Sequence, residues 1–200
     1  LSADTRDMDY FMMGLITVTP IKVKAVTNLK FTHNILNSTT NEMKGEFPTI
    51  QAAFIVGSTN VLIDSNRIKV LDEISPLGQD IYLYGINFGY DTNLTFSNND
   101  FNIYTRGGKD AAGTAYDLQG IKSDIRVIGN NITSFSNGPN IGIYVTSMEG
   151  EGAEEYIANN FINITGLATA SGSWALVTGI EIQNGNAKIY STSTPTRAET

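Results

Sequence analysis

The sequence has no cysteine in its 200 residues, and it has only one histidine, one tryptophan and 5 prolines. Without cysteine the chain can form no disulfide bond, no zinc–thiolate site and no thiol nucleophile. Charged residues make up only 16% of the chain. No apolar run approaches the length of about 18 residues that a membrane-spanning helix needs, so we expect no direct membrane insertion in this segment.

Basic residues are few and are scattered along the chain. There are 13 lysines and arginines against 20 aspartates and glutamates, which gives a net charge of −7. This charge disfavours binding to a nucleic-acid backbone or to an anionic membrane, so we expect no nucleic-acid partner. Hydrophobic residues reach 41% and occur in short Val/Ile/Phe runs between Asn- and Gly-containing turns, which is typical of an all-β protein.

The chain does contain an internal repeat. Its clearest copies are "TNLKFTHNILNS" from residue 27, "TNVLIDSNRIKV" from 59, "TNLTFSNNDFNI" from 92, "SDIRVIGNNITS" from 123 and "AEEYIANNFINI" from 153. The period is about 30 to 33 residues. Self-similarity at such a period is typical of a solenoid, in which each repeat stacks on the next.

One asparagine is shared by all five copies. Apolar residues precede it by five and three positions, as Leu94 and Phe96 precede Asn99, and another follows it by two, as Phe101 does; Glu155 alone breaks this pattern. Because side chains alternate along a strand, the change of phase predicts a corner at the asparagine. Coils stacked about 4.8 Å apart would let each amide donate to the next and accept from the one before. We predict a structural ladder of Asn34, Asn66, Asn99, Asn130 and Asn160.

A second polar column stands six residues earlier and predicts the preceding corner: Asn28, Asn60, Asn93, Asp124, Glu154 and Asn186. A third strand is indicated by "AAFIV" from 52, "LYGINF" from 83, "LQGIKS" from 118, "NIGIYV" from 140 and "VTGIEI" from 177. Three short parallel strands per turn of roughly 31 residues predict a right-handed parallel β-helix of about five to six coils.

We expect residues 1–200 to form a single domain, as a segment of a longer solenoid. The coils are clear over residues 25–190. Residues 1–24 and 191–200 match the repeat poorly and are expected to be caps, an extra coil or junctions.

The repeats vary most in the connection after the second strand. The variable segments are residues 37–51, 71–80, 104–117, 134–140 and 166–175. Solenoids often place binding surfaces on such a side. Exposed aromatic residues there would stack on sugar rings, and the alternative is that they pack onto the core. The candidate ligand-facing residues are Tyr104, Arg106, Lys109, Asp110, Tyr116, Phe135 and Trp174.

A carbohydrate-active enzyme on this scaffold would need clustered carboxylates. Asp64, Asp100 and Asp124 stand at different places in the repeat and do not stack. The remaining arrangement is convergence of loop charges across coils, which are otherwise solvated: Asp72, Glu73, Asp80, Arg106, Lys109, Asp110 and Asp117. We expect no catalytic residue and no cofactor.

No metal site is expected either. His33 lies beside a ladder asparagine and fits a corner at the surface better than a catalytic base or ligand. The acidic segment 146–155 lacks regular calcium-ligand spacing, which favours a solvated loop. Four Asn-x-Ser/Thr sequons make Asn37, Asn93, Asn131 and Asn163 candidates for N-glycosylation, with Asn93 disfavoured if its side chain is buried in a ladder.

Glycine–isoleucine doublets precede the third strand, as in Tyr84-Gly85-Ile86, Gly142-Ile143 and Gly179-Ile180, and each is combined with the asparagine repeat. With these motifs the chain resembles the adhesin-like parallel β-helix proteins of methanogenic archaea and, more broadly, the pectate-lyase-like β-helix superfamily. The resemblance implies an extracellular or cell-surface location. It also implies that the variable loops are displayed for contact with a surface glycan, with a neighbouring cell or cell-surface protein, or with the protein's own lattice. Because the superfamily also contains enzymes, the alternative is a polysaccharide lyase or glycoside hydrolase.

Overall fold

The computed structural model describes residues 2–4, 17–19, 21–40, 49–72, 82–105, 112–121, 124–136, 140–147, 154–167, 177–183, 186–190, 192–194 and 196–199. Over these ranges the chain forms strands and no helix. The strands are β1 (Ser2–Asp4), β2 (Thr17–Val18), β3 (Ile21–Lys24), β4 (Lys30–Thr32), β5 (Ile35–Thr40), β6 (Thr49–Val56), β7 (Thr59–Asp64), β8 (Arg67–Asp72), β9 (Tyr82–Gly89), β10 (Thr92–Ser97), β11 (Asp100–Thr105), β12 (Ala112–Ile121), β13 (Ile125–Ile128), β14 (Asn131–Ser136), β15 (Asn140–Ser147), β16 (Glu154–Ala158), β17 (Phe161–Leu167), β18 (Val177–Gln183), β19 (Asn186–Tyr190) and β20 (Thr196–Glu199).

The strands form three parallel sheets, and the chain visits them in turn. The first face is the 6-stranded sheet β4-β7-β10-β13-β16-β19, and the second face is the 7-stranded sheet β1-β5-β8-β11-β14-β17-β20. The third face is the 7-stranded sheet β2-β6-β9-β12-β15-β18, with β3 also paired to β6. Each strand pairs with its counterparts one coil before and after, so the predicted parallel β-helix is confirmed.

The second face contains seven strands, which differs slightly from the predicted five to six coils. The difference arises because strands outside the recognisable repeat extend the sheets. At one end β1 pairs with β5, and β2 and β3 pair with β6. At the other end β20 pairs with β17. These end strands lack the asparagine column, so the repeat does not reveal them.

The core consists of the inward side chains of stacked strands. On the first face Ile63, Phe96, Val127 and Ile157 are all fully buried and in register. The third face adds Phe88, whose ring packs edge-to-face on Phe96 with the ring centroids 4.9 Å apart. Glu155 is also 0% exposed, in an inward position that Leu94 and Ile125 fill in the two preceding coils.

The third face has one irregular position in every coil. At this position the regular strand-to-strand pairing is interrupted, although the residues on either side are paired. The interrupted positions are all small residues, namely Ala52, Gly85, Ala115, Gly142 and Gly179. The close approach there explains their size, since a Cβ on Gly142 would lie 2.6 Å from the carbonyl oxygen of Gly179. The predicted alignment of "LQGIKS" is therefore wrong: β12 begins six residues earlier, and Ala115 rather than Gly120 stands beside Gly85.

Left-handed backbone marks the corners. The residue before each ladder asparagine has a positive φ in every coil: His33 (57°), Ser65 (56°), Asn98 (53°), Gly129 (66°) and Asn159 (54°). In the second polar column Asn28, Asn60 and Asn93 have φ values of 59°, 53° and 57°. Asparagine tolerates this region better than most residues. Its frequency at the corners follows in part from backbone geometry.

Candidate functional site

Five asparagines lie in one stack at the corner between the first and second faces. The Nδ2 of each of the first four donates to the Oδ1 of the next, at distances of 3.1, 2.9, 3.0 and 2.9 Å along Asn34, Asn66, Asn99, Asn130 and Asn160. The last four are 1–2% exposed. We call this stack the inner ladder.

Each central amide of the inner ladder is saturated with hydrogen bonds. Asn99 Nδ2 donates to Asn130 Oδ1 and also to the Ile63 carbonyl oxygen, at 2.9 Å. Its Oδ1 accepts from both the backbone N and the Nδ2 of Asn66. Two donors and two acceptor positions are all that an amide has. The central amides of the inner ladder are therefore structural and offer nothing to a ligand.

A second ladder lies on the surface at the start of the first face. Asn60 Nδ2 donates to Asn28 Oδ1, and Asn93 Nδ2 donates to Asn60 Oδ1, both at 3.0 Å. All three side chains are exposed. We call this stack the outer ladder. Its amides donate to the preceding coil, whereas those of the inner ladder donate to the following coil. The column continues at Asp124, where a carboxylate replaces the amide.

A groove on the first face follows the outer ladder. One hollow of about 380 Å³ is lined by Asn60, Leu62, Asn93, Thr95, Asp124 and Arg126 among others. A second hollow of about 230 Å³ continues from Asp124 and Arg126 to Ile128 and Tyr156. Beyond Tyr156 the ring of Tyr190 lies with its centroid 5.4 Å away. We call the two joined hollows the first-face groove.

Two aspartate carboxylates accept hydrogen bonds at corners of the coil. Asp91 is fully buried and accepts hydrogen bonds from the backbone N–H groups of Ser58 and Gly89. Burial raises the pKa of Asp91 to about 6, although the two N–H donors favour the charged form. Asp64 lies nearer the surface, where the hydroxyl of Ser97 is the main cause that lowers its pKa.

Two predicted ligand-facing aromatics form a pair at the end of the second face. The rings of Tyr104 and Phe135 are stacked, with centroids 5.1 Å apart and a 25° interplanar angle, and both side chains are half-buried. Tyr116 lies in β12 and not in a loop. The other predicted residues, Arg106, Lys109, Asp110 and Trp174, lie outside the described residues.

Of the loop charges considered for an enzyme, two fall within the described strands. Asp72 ends β8 fully buried, and its carboxylate accepts a 2.8 Å hydrogen bond from Thr105 Oγ1. Asp117 lies in β12 rather than in a loop. Glu73, Asp80, Arg106, Lys109 and Asp110 lie outside the described residues, as do residues 148–153 of the acidic segment.

The only histidine of the sequence, which we considered as a ligand or base, lies at the surface. His33 is an exposed corner residue. Within the described ranges, no three His, Cys, Asp or Glu side chains come together as a metal site would require. The part of the chain that the structure describes has no helix capable of crossing a membrane.

The sequon asparagines differ in accessibility. Asn131 and Asn163 are exposed, and Asn37 is half-buried. Asn93 is exposed as well, so burial does not disfavour it, but its Nδ2 is engaged in the outer ladder. Asn131 Nδ2 donates to Asp100 Oδ1 at 2.8 Å.

Sequence reasoning did not identify Arg126 or Tyr156 as site residues. Both stand four positions before a ladder asparagine, on the outer surface of the first face. That column reads Lys30, Leu62, Thr95, Arg126, Tyr156 and Lys188. Its members share no chemistry, so only the predicted register could have placed them together.

Comparisons of the chain with protein-family models, with curated proteins and with solved structures found no match. The resemblance to adhesin-like proteins therefore depends on the quoted sequence motifs.

Proposed function

We propose that this chain is a binding module of an extracellular or cell-surface protein, of the adhesin-like β-helix kind found in methanogenic archaea. It contacts a surface glycan or a neighbouring cell-surface protein through side chains displayed on a rigid solenoid. The sequence motifs support the family assignment within the broader pectate-lyase-like superfamily. The composition, with no cysteine and a net charge of −7, is compatible with this role.

One observation carries the proposal. The buried ladder amides have all their hydrogen bonds satisfied within the fold, while polar side chains on the surface are arranged in ordered columns. The inner ladder uses all the hydrogen-bonding capacity of the Asn66, Asn99 and Asn130 amides to connect successive coils. The same register arranges outward side chains in straight columns, such as the outer ladder. Pre-organised surfaces of this kind lose little conformational entropy on binding.

The alternative, a polysaccharide lyase or glycoside hydrolase, requires carboxylates that converge on one groove. Asp72 is one of the loop charges that the sequence offers for such an enzyme. In the fold its carboxylate is buried and accepts a hydrogen bond from Thr105. No specific observation on the described residues favours the enzyme over the binding module.

A direct test measures binding and hydrolysis on the same folded protein. The domain is screened on a glycan array and on intact cells, and it is incubated with acidic and neutral polysaccharides with and without calcium. We expect saturable binding to a glycan or cell surface without release of reducing or unsaturated ends. Release of either product would support the enzyme instead, and absence of binding to every glycan and cell would contradict the proposal.

A further inference from the structure

We propose that copies of this chain associate head to tail, with the C-terminal strands of one copy stacked on the N-terminal strands of the next. In this contact β18 lies beside β3 on the third face, and β19 lies beside β4 on the first face. The partner is a second copy because the two ends complement each other in register, apolar surface and charge. Such a contact goes beyond the proposed binding function and does not depend on it, since it uses the ends of the solenoid and not its loops.

Both ends of the solenoid leave sheet edges open. Within the described residues β4 pairs only with β7, and β19 pairs only with β16. On the third face β3 pairs only with β6, and β18 only with β15. Edge strands present backbone N–H and C=O groups that can pair with another chain. Because the strands of these sheets are parallel, a second copy stacked head to tail continues both sheets in their existing orientation.

The inward columns end in partly exposed apolar side chains. Ile189 continues the column of the buried Ile157 but is itself 51% exposed. At the opposite end Phe31 is the first member of the same column and is only half-buried. On the third face Ile180 and Ile21 are likewise half-buried at the two ends of one column. A head-to-tail contact places Ile189 on Phe31 and Ile180 on Ile21, which removes apolar surface from water.

The inner ladder is open at its N-terminal end. Every later ladder oxygen accepts from the backbone N–H of the ladder residue one coil before, as Asn66 Oδ1 accepts from Asn34 N. Asn34 Oδ1 itself accepts no hydrogen bond from the part of the chain that the structure describes. Thr192 stands at the ladder position of the last coil, because the following Ser193 is bridged to Phe161. Head-to-tail stacking brings the Thr192 N–H to Asn34 Oδ1.

One pair of opposite charges specifies the register on the third face. Glu181 and Lys22 belong to the same outward column, at its two ends. Lys22 is exposed and Glu181 is half-buried, with its carboxylate accepting only a surface hydrogen bond from Gln183 among the described residues. Stacking places Glu181 of one copy directly beside Lys22 of the next. Opposite charges on adjacent strands attract each other.

Two features oppose the contact and keep it weak. Lys188 would lie beside Lys30 on the first face, and like charges on adjacent strands repel each other. On the second face β20 of one copy and β1 of the next fall at the same level of the stack, so one of these short strands must leave its sheet. Replacement of β1 by β20 beside β5 is an exchange of one short strand between copies. We therefore expect reversible association at high protein concentration and not a permanent oligomer.

Sedimentation velocity of the whole chain over a range of concentrations tests the contact. We expect dimers and longer oligomers as the concentration rises, because a head-to-tail contact leaves the outer ends open. Ile189→Lys should abolish association, since it places a charge inside the junction, and the 51% exposed position tolerates lysine in the monomer. Arg126→Glu on the exposed surface of a central coil is the control and should leave association unchanged. Unchanged unfolding midpoints confirm that each variant is folded, and a wild-type chain that stays monomeric would overturn the inference.

A charge exchange tests the register on the third face. Glu181→Lys and Lys22→Glu should each weaken association about threefold to tenfold, because an attraction between adjacent strands becomes a repulsion. The double variant restores an unlike pair and should recover the association of the wild type. If the double variant associates no better than the single ones, the two ends do not meet in this way and the inference is wrong.

The absence of cysteine from the chain allows a covalent check on the first face. In the stack the Cα atoms of Lys188 and of Lys30 in the next copy lie about 4.8 Å apart, which a disulfide bond can span. A mixture of Lys188→Cys and Lys30→Cys, oxidised by dissolved oxygen, should give a mixed dimer. Lys188→Cys mixed with Arg126→Cys, from the same outward column, should give far less. Equal yields from the two mixtures would indicate random collision and would overturn the inference.

Discussion

Asparagine stabilises this fold at the corners for two separate physical reasons. In the inner ladder the amide both donates and accepts, so identical side chains can hydrogen-bond to each other in every coil. At positions such as Asn98 and Asn159 the residue is exposed, and its value lies in tolerating a left-handed backbone. The adjacent residues Asn98 and Asn99 separate the two reasons and can be tested one by one.

Asn99→Leu should destabilise the protein strongly at nearly constant side-chain volume. The substitution removes the acceptor of the Asn66 backbone N–H and the donor to the Ile63 carbonyl oxygen. Each buried polar group left unsatisfied costs about 1–3 kcal/mol. We expect a large fall in the urea midpoint of unfolding, followed by circular dichroism.

Asn98 provides the control beside it. Its side chain is exposed and makes a 3.1 Å hydrogen bond to Asp64 at the surface. Asn98→Gly keeps the positive φ accessible and should shift the midpoint least. Asn98→Ser should cost slightly more, since serine is less suited to φ 53°. If Asn98→Gly and Asn99→Leu gave equal small shifts, the inner ladder would have no special energetic role.

Asp91 should make stability depend on pH. Its folded pKa of about 6 lies above the ordinary aspartate value of 3.8, so the folded state holds the proton more tightly than the unfolded state does. The resulting stabilisation is fully present below pH 3.8 and is lost as pH rises through about 6. The change amounts to roughly 1–3 kcal/mol, seen as a falling urea midpoint between pH 4 and 7.

Asp91→Asn tests the assignment of this pH dependence. The amide cannot ionise, so the part of the slope between pH 4 and 7 that Asp91 causes should disappear. The variant loses one acceptor for Ser58 or Gly89 at every pH, which lowers stability without adding a slope. An unchanged slope would assign the titration to other groups.

At the level of the strand, the third face depends on small residues. Gly142→Ala should destabilise because its Cβ would meet Gly179 backbone and the Ile162 side chain, each at 2.6 Å. Overpacking of this kind costs about 1–3 kcal/mol. Gly89→Ala is the matched control, since its Cβ would lie an ordinary 3.6 Å from Val56. Thermal unfolding of both variants should show a lower midpoint for Gly142→Ala only; similar midpoints would mean that the backbone relaxes around the new methyl group.

The sequence predicts the elements best where one physical constraint recurs in every coil. The inner ladder column and its flanking apolar residues place the first and second faces in register. The third face was misaligned at β12 because Gly120-Ile121 imitates the glycine–isoleucine doublet, whereas Ala115 is small enough to occupy the irregular position. Arg126 and Tyr156 were missed because outward positions are not constrained by packing.

In the molecule as a whole, the stabilising contacts between coils follow one another along the solenoid axis. Each strand pairs only with its counterparts in adjacent coils, so the free energy approximates a sum of coil and neighbour terms. Burial decreases toward the C-terminal end of the first face. Ile157 is fully buried, whereas Ile189 occupies the same inward position in the last strand and is 51% exposed. The end coils should therefore open before the centre.

Native-state hydrogen exchange should show this gradient. The Asn66 and Asn99 backbone N–H groups donate to ladder oxygens inside the stack and should be the best protected. The Ala25 and Ser193 N–H groups, at the two ends, should exchange at least about tenfold faster, because opening an end coil breaks contacts on one side only. Exchange followed residue by residue by nuclear magnetic resonance gives the comparison. Uniform protection from end to end would instead mean that the solenoid opens as one cooperative unit, and Asn99→Leu should then lower protection equally in every coil.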